Sequence, residues 1–153
     1  MKKMLSITAI AGLLVSMSFA NWTEGTKSVA GSFSYESSTT NSVTSTSWTF
    51  NPSVGYFLMD NVAVNFGANM KNDGTDTATS WNVGGSYYMN EWYGTAAYGT
   101  GAEDNTNYMR FGGGYMYGLS DGIYLDTGVR YNMGMGDNKT NTMNFVVGVS
   151  TYF

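Results

Sequence analysis

Along most of this chain apolar and polar residues alternate one for one, the period of a strand with two unlike faces. The last segment shows it plainly. Met143, Phe145, Val147, Val149, Thr151 and Phe153 fall on one side, and Asn144, Val146, Gly148, Ser150 and Tyr152 on the other. Seven earlier segments repeat the pattern, at about 28–36, 43–57, 62–70, 80–89, 92–100, 108–117 and 123–133. In six of them one face is readable as apolar, for example Val29 and Phe33, Trp48 to Tyr56, or Val62 to Met70. Alternation in 92–100 is too weak to orient that strand. Each segment has close to the ~9–11 residues that a tilted strand needs to cross a bilayer.

The links between segments also alternate. Three are tight, at 58–61, 90–91 and 120–122. Four are longer and polar, at about 37–42, 71–79, 101–107 and 134–140. Asp121-Gly122 has the chemistry of a tight hairpin turn. A Greek-key sandwich needs a long crossover between its sheets, and the chain has none. Hairpin-length links throughout predict an up-and-down meander, which closes into a barrel to remove its edges.

Volume decides which face points out. The apolar set carries Phe33, Trp48, Phe66, Trp81, Phe111, Tyr115, Phe145 and further rings, too much for an interior that eight strands leave only just wide enough to fill. The opposite set is mainly Gly, Ser, Asn and Ala. Apolar outside and polar inside is the reverse of a soluble domain, and lipid is the solvent that rewards it. The expectation is an all-β, eight-stranded antiparallel up-and-down transmembrane β-barrel. Rings are expected in two girdles at the lipid–water boundaries: Tyr56, Trp92, Tyr117 and Phe153 at one end, Tyr35, Trp81, Tyr108 and Tyr131 at the other.

The start of the chain departs from the alternation. Lys2 and Lys3 precede a mostly apolar stretch, and Ser18-Phe19-Ala20 offers small residues at a cut, the pattern of a secretory signal peptide. The chain divides into a cleaved signal peptide, 1–20, and a barrel domain, 21–153. Removing Lys2 and Lys3 from 7 basic residues leaves 5 against 11 acidic ones, a net charge of −6. Nucleic acid is not an expected partner of so acidic a chain. Only 12% of residues are charged while 16% are aromatic, and the chain has 20 Gly. Cys and His are both absent, so no disulfide is available and the commonest general base and metal ligand are missing.

The stretch Asn51-Pro52-Ser53-Val54-Gly55-Tyr56-Phe57, followed by Leu58-Met59-Asp60-Asn61 and Val62-Ala63-Val64, resembles a hairpin of small bacterial outer-membrane β-barrel proteins of the OmpX and OmpW type. The terminal Gly148-Val149-Ser150-Thr151-Tyr152-Phe153 resembles the assembly signal of that group, with Gly148, Tyr152 and Phe153 as its marked positions. The resemblance implies location in the bacterial outer membrane. Its implied partners are outer-membrane lipid and lipopolysaccharide, and the barrel assembly machinery and periplasmic chaperones during biogenesis. The longer loops are shorter than those of many relatives, which argues against an elaborate outer site.

Little else carries chemistry. Enzymes of that group use a His that this chain lacks, and no cofactor or metal site is expected. Gly112-Gly113-Gly114 precedes no helix, so it is not a phosphate loop; beside Tyr115 it makes room for rings. Glu103-Asp104 reads as a solvated loop. Asp73, Asp76, Glu103, Asp104 and Asp137 fall in outer loops, where an ordinary hydrated surface is favoured over cation bridging to lipopolysaccharide. The alternation puts Arg110, Asp126 and Arg130 inside the barrel, with Glu36 near its outer rim. Such charges are expected to compensate one another as a plug; a selectivity gate is the alternative. The expected function is a monomeric, non-enzymatic integral outer-membrane protein with a structural or surface-interaction role. A narrow channel for small or apolar solutes is the second reading, and a soluble secreted β protein the third.

Overall fold

The computed structural model describes residues 22–40, 43–72, 74–100, 107–135 and 141–153, with backbone alone for 34–40 and 43–46. Eight strands appear: β1 (Lys27–Thr40), β2 (Val43–Met59), β3 (Val62–Asn72), β4 (Thr77–Met89), β5 (Trp92–Thr100), β6 (Asn107–Ser120), β7 (Ile123–Gly134) and β8 (Asn141–Tyr152). Each pairs antiparallel with the next, and β8 returns to β1, closing the barrel in chain order. The expected meander and strand count are what the chain adopts.

Three links at one end, the turn end, are two residues long: Asp60-Asn61, Asn90-Glu91 and Asp121-Gly122. Asn61 (φ 66°), Asn90 (φ 54°) and Gly122 (φ 70°) supply the left-handed backbone that such turns require. Asn and Gly adopt it at least cost. The opposite, loop end differs from expectation at two links. The β1–β2 ladder climbs to Thr40↔Val43, so residues 37–40, expected in a loop, are strand. The β3–β4 ladder likewise climbs to Asn72↔Thr77. Both extensions are rich in Ser, Thr and Asn, and Thr fits a pleated ladder as readily as it fits a loop.

The outward face is apolar all the way round. Phe145 is 77% exposed, Phe153 70%, Trp92 60% and Phe33 58%, and Val54, Phe66, Trp81, Val83, Phe111 and Val147 are also exposed. No soluble fold leaves such a surface to water. Trp92 and Tyr98 point out from β5 while Tyr93 and Gly99 are buried, which orients the strand that the sequence left open. Tyr56, Trp92 and Phe153 lie exposed at the turn end and Trp81 and Tyr131 at the loop end, whereas the Tyr35 side chain is outside the described part.

Tyr108 corrects the expected outer girdle. It shares the inward face of β6 with Arg110, whose guanidinium lies 5.2 Å from the centre of its ring. Two residues from an inward Arg, strand parity can only turn it inward.

Closure is uneven. Seven ladders run most of the barrel height, but β1 and β8 form only five pairs, from Ser28↔Tyr152 to Ser32↔Gly148. Above that point, among the described residues, β1 pairs with β2 alone and β8 with β7 alone.

Candidate functional site

The interior is built in layers. At the turn end, Trp22 folds under the barrel from the segment before β1. Its indole Nε1 donates to the Asn90 carbonyl at 2.6 Å, and its own carbonyl accepts from the Asn61 amide at 2.8 Å. Its ring lies 4.6 Å from Tyr88, 4.6 Å from Tyr152, 5.4 Å from Tyr124 and 5.8 Å from Phe57, measured between ring centres. Trp22, Phe57, Tyr88, Tyr124, Met116 and Tyr93 are all buried. They close this end with a core like that of a soluble protein. The interior is therefore not uniformly polar as the sequence suggested: its small and polar residues line the middle and the loop end.

Tyr93 connects the rings to the charges. Its hydroxyl donates to Asp126 Oδ1 at 2.7 Å, and Asp126 Oδ2 lies 3.8 Å from Arg130 Nη2. Gly114 and Gly128 make room for that ring. A Cβ on Gly114 would lie 2.8 Å from Tyr93 Cε1 and 2.4 Å from the Thr127 carbonyl oxygen. So the glycine run of β6 does make room for a ring: Gly114, beside Tyr115, admits Tyr93 on the lumen side.

Arg110 is buried, and it is held by neutral groups. Its Nε donates to Asn132 Oδ1 at 2.7 Å and its Nη2 to the Tyr108 hydroxyl at 3.3 Å. Asn132 in turn donates to Thr142 at 3.1 Å, and Asn69 to Asn51 at 2.7 Å on the opposite wall. Two spaces flank this layer. An inner cavity of about 90 Å³ lies among Ser86, Tyr88, Thr95, Met116 and Asp126. A vestibule of about 720 Å³ opens toward the loop end, lined by Ser47, Asn69, Lys71, Asn132 and Asn144. Arg110 and Arg130 line both.

Of the residues singled out in the sequence, Arg110, Asp126 and Arg130 meet in this layer. Of these three, Asp126 and Arg130 form an ion pair. Glu36 stands opposite Ser47 in the β1–β2 ladder, and its side chain lies outside the described part. Gly148 is buried where β8 last touches β1; a Cβ there would lie 2.7 Å from the Gly31 carbonyl oxygen. Tyr152 is part of the aromatic closure, and Phe153 points outward, its backbone paired with Lys27. Asp76 is exposed beyond β3, while Asp73, Glu103, Asp104 and Asp137 lie outside the described residues. Trp22, Phe57 and Tyr93 were not anticipated. Parity with Gly55 turns Phe57 inward, and Trp92-Tyr93 are both aromatic, so alternation between them is silent. Nothing periodic marks Trp22, which precedes the first strand.

No family model matches the chain, and no curated protein does. Its fold is that of solved outer-membrane barrels. The N-terminal β-barrel domain of OprF from Pseudomonas aeruginosa is similar at a TM-score of 0.62 and 14% identity, covering 85% of this chain and 98% of that one. The outer membrane protein Ail from Yersinia pestis, solved in a phospholipid bilayer nanodisc, is similar at 0.51 and 14% identity, covering 85% and 100%.

Proposed function

We propose that this protein is a non-enzymatic, monomeric anchor of the bacterial outer membrane, sealed at its periplasmic end and presenting its loop end to the outside. The observation that carries this reading is the closed meander with an apolar belt on its outward face. Backbone groups satisfied within a closed barrel and apolar side chains facing out are what a bilayer demands. Short turns belong on the periplasmic side of such barrels and longer links outside.

The seal argues for an anchor over a channel. Trp22 and the rings around it fill the turn end, and the charge layer lies above them. Cleavage after Ala20 would leave Trp22 as the second residue of the secreted chain, so removal of the leader would free the residue that closes the barrel. Gly148, Tyr152 and Phe153 serve assembly, Phe153 as the outward aromatic end of the signal that the assembly machinery and its chaperones read. Lipid contacts the belt, and lipopolysaccharide borders the loop end.

Fractionation tests the location. The protein should sediment with outer membranes and change mobility between unboiled and boiled gels, because a closed barrel resists detergent unfolding. Recovery from the soluble periplasm would reject the membrane reading.

A further inference from the structure

The wall of the barrel is incomplete on one side. The β1–β8 ladder stops at Ser32↔Gly148, yet β1 continues to Thr40 and the outer part of β8 reaches back to Asn141. Each strand stays paired on its far side, β1 up to Thr40↔Val43 and β8 up to Met133↔Asn141. Two strand edges therefore face each other across a gap. Unpaired backbone at membrane depth is tolerated only where it is buried in protein or lines a water-filled cavity, and the vestibule lies behind this gap. Its lining mixes inward polar groups with the outward residues Phe33, Met143 and Phe145, so the space runs from the barrel axis to the lipid-facing surface.

Charge identifies the occupant. Arg110 and Arg130 both line the vestibule, and Asp126 is the carboxylate that faces them among the described residues. That carboxylate is shared, since it also accepts the Tyr93 hydroxyl. Among the described residues the partners of Arg110 are neutral, Asn132 and Tyr108. A buried guanidinium held by neutral acceptors alone is short of an anion, which would give it charge-assisted hydrogen bonds.

We infer that the outer half of the lumen binds an anionic single-chain amphiphile, its acid group at Arg110 and Arg130 and its tail leaving between β1 and β8 over Phe33, Met143 and Phe145. A small free anion would satisfy the arginines and leave the apolar lip empty. A neutral tail would satisfy the lip and leave the arginines as they are. Because the aromatic closure blocks the turn end, the site retains its ligand rather than passing it through.

Dodecanoate is the probe, added to isotope-labelled protein in nanodiscs of zwitterionic lipid and followed by nuclear magnetic resonance. Saturable shifts are expected at the Arg110 and Arg130 Nε–H signals and at amides of the outer halves of β1 and β8. Dodecanol should leave the arginine signals in place, and acetate should bind at least tenfold more weakly, since an apolar tail adds affinity for every methylene it buries. Arg110→Gln should weaken dodecanoate binding by tenfold or more, with the spread of amide signals reporting that the variant is folded. If that variant does not fold, the comparison of dodecanoate, dodecanol and acetate on the unaltered protein decides alone. Shifts spread evenly over the outward face, or arginine shifts equally strong with acetate, would overturn the proposal: the first means partition into the bilayer, the second a site for free anions that makes no use of the gap.

Discussion

Asp126 is the residue on which the interior charges turn. It accepts from Tyr93 and pairs with Arg130, so replacing it strands two partners at once. Asp126→Ala should lower unfolding stability. The loss of one partner costs ~3–5 kcal/mol in a fully desolvated pair, and less here because the Arg130 and Asp126 side chains keep 22% and 14% of their exposure. Asp126→Asn keeps an acceptor for Tyr93 and should cost less than Asp126→Ala. Denaturant titration of the refolded barrel measures both; equal, negligible losses would mean that water compensates the arginines. Trp22 acts by packing instead. Trp22→Ala empties the centre of four aromatic neighbours and should destabilise by about 3–5 kcal/mol, the usual range for a large buried ring. A loss under ~1 kcal/mol would show that the segment before β1 does not close the barrel in solution.

At the scale of strands, alternation was enough to count eight elements and to face seven of them, because a period of two leaves one choice once the lipid side is known. It failed where its signal vanishes. β5 begins with two aromatics in succession and continues through small residues, so neither face stands out. Trp22 precedes the strands, and its role depends on a long-range fit that no local pattern encodes. The upper part of β1 and the loop-end extensions of β3 and β4 look like loops by composition and are paired all the same. Arg110, Asp126 and Arg130 could be placed inside by parity, but which of them pair depends on strand stagger, and that is legible only in the closed barrel. The end of β8 allows a direct contrast. Deleting Phe153 should reduce insertion far more than Ser150→Ala, which trims one oxygen from an inward position. Equal yields of membrane-inserted protein from the two variants would remove Phe153 from the assembly signal.

For the whole molecule, an aromatic closure below a charge layer predicts electrical silence. Purified protein in planar bilayers should show no steady, large conductance, since rings fill one end of an eight-stranded lumen already narrow by construction. Steady channels of the unaltered protein would replace the sealed anchor with a gate. The central claim, though, is the inversion of inside and outside, and two residues test it. Met116 is buried inside the barrel, away from the gap between β1 and β8, and its neighbour in the β6–β7 wall, Leu125, stands beside outward Val149 of β8, which is 49% exposed. In nanodiscs containing a lipid-soluble paramagnetic agent, the methyl signals of Val147, Val149, Val64 and Val54 should broaden while that of Met116 stays sharp. Broadening of Met116 with Val149 left sharp, or no difference between them, would contradict the account.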